Sequence, residues 1–133
     1  MAFLYHPLIV HFPVALWMTS ALFEVLYLVR RDEFSAAAAR WLIGLGLLGA
    51  AVSIVSGWVD LLRQVELGVG TGILIRHRLH SLLAYAATAA YVAVFLGRWR
   101  RTIPPRWTIL LSLLGAAFVA ATGYIGGELR KVM

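Results

Sequence analysis

Residues 40–59 read RWLIGLGLLGAAVSIVSGWV, and residues 106–125 read RWTILLSLLGAAFVAATGYI. At an offset of 66, ten of the twenty positions are identical, among them Arg-Trp, Leu-Leu-Gly-Ala-Ala and the pair Gly57/Gly123. Ser56/Thr122, Trp58/Tyr124 and Val59/Ile125 are near matches. Each stretch has the ~20 apolar residues that carry a helix across a ~30 Å hydrocarbon core. Lipid-facing helices share Leu and Ala by composition alone. Arg-Trp, the LLGAA core and a [ST]G[WY][VI] ending in one register point further, to a duplicated element.

Working outward, four apolar runs stand out: Pro13–Val29 (a start at Pro7 is also open), Trp41–Leu62, Leu79–Leu96 and Trp107–Ile125. Backbone polar groups in lipid need internal partners, so each run is read as a helix. The first and third runs repeat as well. HFPVALWMTSALFEV (11–25) lies over HSLLAYAATAAYVAV (80–94) at an offset of 69, setting His11 against His80. The expected fold is all-α, a four-transmembrane-helix bundle made of two tandem helical hairpins in one membrane domain spanning residues 1–133. Repeat 1 covers about residues 7–65 and repeat 2 about residues 76–133. An even number of helices per repeat implies a parallel pseudo-two-fold repeat about the membrane normal. Gly44, Gly46, Gly49 and Gly115 are read as small residues that let helices approach.

Composition agrees. The chain is 62 % hydrophobic with a mean hydropathy of +0.85, against roughly 45–50 % apolar residues in soluble domains. It has no cysteine, which excludes disulfides, thiolate metal sites and thiol nucleophiles. The net charge of +6 sits in short arginine clusters between apolar runs, a membrane-loop pattern and no nucleic-acid footprint. Nothing basic precedes the first run, so it is not read as a cleaved signal peptide. Arg30, Arg31, Arg40, Arg98, Arg100, Arg101 and Arg106 mark the expected cytoplasmic side; Arg63, Arg76, Arg78, Arg130 and Lys131 lie opposite. Both termini are then expected outside.

That outer end collects the chemistry: His6, His11, Asp60, His77, His80 and Glu128. His6 and His11 are ~140° apart on an ideal helix and cannot both face one site if Pro7–Pro13 is regular helix. Pro13 suits a first helical position, which would leave His11 just outside the helix start. His77 and His80 share a face. His11 and His80, on diagonally opposite helices, suit axial ligation of a haem iron. Gly57 and Gly123 would leave room for the macrocycle, with Trp58 and Tyr124 at its edge. Arg63, Arg76, Arg78 and Arg130 would neutralise propionates. Asp60 is read as a helix-end partner of Arg63 or as a carboxylate orienting a histidine. His6, His77, Asp60 and Glu128 are secondary metal candidates. Glu24 is read as snorkelling or pairing with a loop arginine, with a proton relay as the minority reading. The five tryptophans are read mainly as interfacial belt residues.

HPLIVHFP at 6–13, GWVD at 57–60, an H-x-x-H helix start at 77–80 and TGYIGGEL at 122–129 together resemble the small bacterial membrane-protein family labelled "domain of unknown function 2231". The resemblance covers nearly the whole chain, and His6, His11, Gly57, Asp60, His80, Gly126 and Gly127 match its motif positions. Two departures stand out. The family commonly has an Asn shortly after the third-helix histidine, where this sequence has HSLLAY. It also tends to continue past the Gly-Gly motif into a glycine-bearing tail, where this sequence ends at Met133. The resemblance implies a bacterial inner-membrane setting and relatives fused or adjacent to c-type cytochromes or Rieske domains.

The leading expectation is a haem b electron-transfer protein with bis-histidine ligation, working between a quinol or other membrane partner and an outer-face redox protein. The alternatives are an accessory subunit of a larger respiratory or photosynthetic complex, and a non-haem transition-metal protein. No HExxH or nucleophile-elbow motif supports a stand-alone hydrolytic enzyme.

Overall fold

The computed structural model describes residues 5–68, 70–101 and 103–132, with the backbone alone for Tyr5 and residues 130–132. Four helices follow the four apolar runs: α1 (Tyr5–Arg30), α2 (Glu33–Glu66), α3 (Thr71–Arg98) and α4 (Arg106–Val132). Each contains a stretch long and apolar enough to cross a bilayer. Large apolar side chains such as Leu48, Leu62, Leu82 and Leu110 face outward, an arrangement that water would penalise and lipid does not. The protein is a multi-pass membrane protein.

The helices run beyond the apolar runs because the end signals lie further out. Arg31 takes a left-handed conformation at φ 56°, and its N–H closes α1 on the Tyr27 carbonyl at 2.9 Å. Its guanidinium stands 5.7 Å from the centre of the Tyr27 ring. Asp32 follows as the N-cap of α2, accepting from the Ser35 N–H and the Ser35 hydroxyl at 2.8 Å each. The connection is therefore only two residues long. At the other end α1 is already helical well before Pro13, so the expected helix start at Pro13 is corrected. The missing N–H costs one backbone bond. The buried proline ring offsets it by packing where Gly49 has no side chain, 3.2 Å from a notional Cβ.

α1 packs chiefly on α2, and α3 on α4; thinner seams join α2 to α3 and α4 to α1. α1 and α3 are thus diagonal neighbours, and their inward residues meet on the bundle axis. Trp17 stacks on Tyr91 with centroids 4.4 Å apart and planes at 18°. Below that stack Glu24 meets Arg98, Oε1 to Nη1 at 2.7 Å. Above it His6 and His80 line one cavity. All three pairs have the same sequence separation, 74 residues. The offset of 69 expected for these two helices is therefore not the register that faces them. Fifteen residues separate Glu24 from Arg40, but only seven separate Arg98 from Arg106. The eight-residue difference goes into a longer α1 and the extra turns of α2 before Arg40.

The core around the stack comprises Ile43, Ala50, Ala87, Val94 and Val119. Trp17 belongs to it, which corrects its reading as a belt residue. Its indole lies over Gly46, where a Cβ would fall 2.3 Å from Nε1, and it donates to the Ile43 carbonyl at 3.3 Å. Trp41, Trp58, Trp99 and Trp107 are exposed, as a belt requires.

Candidate functional site

The cavity lies between the four helices, from the Trp17 indole up to the end that carries both termini. It takes in about 750 Å³ of space between the helices, open solvent at its mouth included. Its walls are apolar, with Val10, Pro13, Val14, Ala50, Ile54 and Val119 among them. His6, His77 and His80 are the imidazoles on its lining, and Tyr85 contributes a phenol.

Two of these imidazoles are oriented by the helix that packs on their own. On α3, His80 Nδ1–H donates to the Thr122 carbonyl of α4 at 3.0 Å. On α1, His6 Nδ1 is 2.7 Å from the Ser56 hydroxyl of α2. That hydroxyl donates its hydrogen to the Ser53 carbonyl at 2.9 Å, so it accepts from His6 Nδ1–H. The network assigns both rings the same tautomer, with Nε2 carrying the lone pair. Each ring also rests on a glycine. A Cβ on Gly57 would lie 3.0 Å from His6 Cε1, and one on Gly126 would lie 3.0 Å from His80 Cε1. A side chain at either position would press on the imidazole, which would have to give by a few tenths of an ångström.

His77 is buried and sits edge-on to His80, with ring centroids 6.3 Å apart; its Nδ1 is 3.4 Å from the Ser81 hydroxyl. Asp60 is buried at the same end, within electrostatic range of His6 and His77. Trp58 lines the cavity and donates to the Tyr85 hydroxyl at 2.5 Å.

The remaining expected residues are placed differently. His11 is exposed and turns its Nδ1 onto the Pro7 carbonyl. The fold does not bring it to His80, because α1 is regular helix here and the ~140° between His6 and His11 sends one inward and the other out. Tyr124 is exposed and off the cavity lining. Gly123 lines the cavity, and a Cβ there would meet nothing within 4 Å. Arg63, Arg76 and Arg78 are exposed near the same end and off the lining, and the Arg130 side chain lies outside the described residues. Glu128 is half-buried near the end of α4 and off the lining. Among the described residues no three His, Asp or Glu side chains converge as metal ligands.

A second polar cluster lies on the far side of the Trp17–Tyr91 stack. Glu24 and Arg98 are both fully buried. Their 2.7 Å contact is an ion pair whose angles do not make a hydrogen bond, so both carboxylate oxygens and both terminal guanidinium nitrogens lack hydrogen-bond partners among the described residues. Arg98 Nε donates to the Thr108 hydroxyl at 2.8 Å. Of the readings for Glu24, pairing with an arginine is the one the fold displays. That arginine has left the loop for the core.

The family model described as "Predicted membrane protein (DUF2231)" matches residues 4–133. The chain belongs to this family. No curated protein and no solved structure matches it. Family motifs now have physical roles in this chain: the opening histidine, the glycine of GWVD and the first glycine of the Gly-Gly pair build the two imidazole seats. The fold allows one missed signal to be read back into the sequence. His6, Trp17 and Glu24 are spaced by eleven and seven residues, as are His80, Tyr91 and Arg98. Both spacings are close to whole helical turns, so each trio lies on one face.

Proposed function

We propose that the protein is an inner-membrane haem b protein that holds its iron between His6 and His80 and transfers electrons at the end carrying both termini. The observation that carries this reading is the matched pair of imidazoles. They come from diagonal helices and line one apolar cavity, and each Nδ1 is committed to a neighbouring helix so that Nε2 is the ligating nitrogen. Two imidazoles with Nε2 left over are the donors that would hold a haem, and the apolar walls would suit its ring. When bound, haem supplies one-electron chemistry. The protein's own residues fix the two imidazoles, exclude water from the cavity floor with Trp17, and set Asp60 within range of His6 and His77. His77 is a neighbour of the pair and not a third ligand in this reading. Both termini are assigned to the outer side by the charge bias of the loops. The redox partners are a membrane quinol or an outer-face redox protein.

The test is an oxidised and dithionite-reduced absorption spectrum of the protein purified after expression with haem supplied. A Soret band with sharp reduced bands is expected in wild type and in His11→Ala, and is expected to be lost in His6→Ala and His80→Ala. A colourless wild type overturns the reading and favours an accessory subunit of a larger membrane complex. Spectra lost in His11→Ala but kept in His6→Ala would return the ligand to His11.

A further inference from the structure

At the end of the bundle opposite the termini, cations outnumber the acids that could pair with them. Residues 30–40 and 98–106 carry seven arginines and two acids. Arg98 is buried against Glu24, Arg31 lies over the Tyr27 ring, and the Asp32 carboxylate is committed to Ser35. Glu33 stands two turns outward of Arg40, ~10.5 Å along the helix axis. Two of the remaining arginines are joined. Arg40 is half-buried, and its Nη1 donates across the thin α2–α3 seam to the Arg101 carbonyl at 3.5 Å. That long bond uses one of five guanidinium N–H donors. The Arg101 side chain is exposed at the same corner. One turn deeper along α2, Gly44 receives the Phe95 ring of α3, where a Cβ would fall 2.9 Å from Cε2. Exposed Trp99 stands edge-on to Phe95 with ring centroids 5.1 Å apart, on the headgroup side of it. Deeper in the bilayer, Leu48 and Val92 are exposed, ~40° round α2 from Gly44 and ~60° round α3 from Phe95. From the headgroup level inward the corner is therefore basic, then aromatic, then aliphatic. The repeat-related corner is built differently. Arg106 and Leu110 stand where Arg40 and Gly44 stand in the first repeat. Both are exposed, and Arg106 makes no hydrogen bond across a seam among the described residues.

We propose that this end of the α2–α3 seam binds one anionic phospholipid, its phosphate held by the Arg40 and Arg101 guanidinium groups and an acyl chain laid along Trp99, Phe95 and Leu48. Guanidinium groups make charge-assisted, often bidentate bonds to phosphate, and basic pockets between spanning helices suit phospholipid headgroups. The headgroup carries a net negative charge because a zwitterionic lipid would bring its own cation to a corner that already has two. The ligand is an amphiphile because the aromatic and aliphatic parts of the corner face hydrocarbon, where a free phosphate makes no contact. One such lipid would bridge α2 to the chain that follows α3, fastening the two hairpins at one of their thin seams. The site lies on the opposite side of the Trp17–Tyr91 stack from the cavity and is independent of what the cavity holds.

The test is native mass spectrometry of the full chain released from detergent, titrated with dioleoyl phosphatidylglycerol and, separately, with dioleoyl phosphatidylcholine. Wild type is expected to hold one phosphatidylglycerol about tenfold more tightly than phosphatidylcholine. Arg40→Gln with Arg101→Gln is expected to abolish that preference, while Arg106→Gln, which removes the same charge from the repeat-related corner, is expected to leave it intact. Arg101→Gln alone changes only an exposed side chain outside the helices, so folding is not at stake, and it is expected to weaken phosphatidylglycerol binding about threefold or more. Equal binding of the two lipids overturns the proposal. So does a loss in Arg106→Gln as large as in the double variant, or unchanged binding in Arg101→Gln. A ladder of equivalent phosphatidylglycerol adducts would show a diffuse basic surface in place of a site, and displacement of the lipid by inorganic phosphate alone would show a simple anion site; either result overturns the proposal.

Discussion

His6 and His11 stand five residues apart in one motif, and helical geometry gives them opposite fates. The inward one gains a hydroxyl partner and a glycine seat; the outward one satisfies itself on its own backbone. The seat makes the site sensitive to small changes. Gly57→Ala places a methyl 3.0 Å from the His6 ring, so the imidazole must give by a few tenths of an ångström, and it is expected to weaken haem binding while leaving helix content by circular dichroism unchanged. Ser56→Ala removes the acceptor that fixes the His6 tautomer. Loss of such an orienting partner commonly lowers affinity about 10–100-fold. Haem titration of the two proteins checks both expectations.

At the scale of the helix, most of the architecture was legible in sequence. Four runs of spanning length gave four spanning helices, and α2 and α4 share a motif that sets them in one register. Ile43/Ile109 and Ala50/Ala116, paired at that offset, are buried in both helices. α1 and α3 were harder to align because their shared positions carry different side chains. Trp17 faces Tyr91 and Glu24 faces Arg98, complementary pairs that no identity count can detect. Pro13 misled for a related reason. A proline is usually a boundary, and here its ring fills the space over Gly49 within a continuous helix. The short α1–α2 turn yields a pH prediction. Hydrogen bonds from the Ser35 N–H and hydroxyl hold the Asp32 carboxyl below its usual range. Its capping contribution is therefore fully present above the ordinary carboxylate pKa and is lost as pH falls through the lowered folded value. Thermal unfolding in detergent is expected to show an acid-side decline in stability that is shallower in Asp32→Asn. An identical decline in both would show that the cap does not titrate with folding.

For the whole molecule, the axis of contacts from His6/His80 through Trp17/Tyr91 to Glu24/Arg98 ties one hairpin to the other where the seams are thin. The ion pair is its most demanding part, since both partners are removed from water and from the headgroups. Removing one partner of a buried pair typically costs about 3–5 kcal/mol, whereas replacing both with well-packed apolar groups is often neutral or stabilising. Glu24→Leu and Arg98→Met are each expected to lower stability by amounts of that order. The double replacement Glu24→Leu with Arg98→Met is expected to recover most of the loss. Denaturant unfolding of the proteins in mixed micelles checks this cycle; a double replacement as unstable as the sum of the singles would show that the charges do not act as a pair.

The same contact constrains biosynthesis. Glu24 emerges from the ribosome 74 residues before Arg98. At about 5–20 residues per second, that leaves the acid without its partner for roughly four to fifteen seconds. During that interval the first hairpin can be complete as a pair of helices while one of its side chains still lacks what makes it tolerable in lipid. Until α3 is made, the nascent α1 carries that cost alone, which favours a position near the interface or beside the insertion machinery. Membrane entry of the first half is in this way completed by the second.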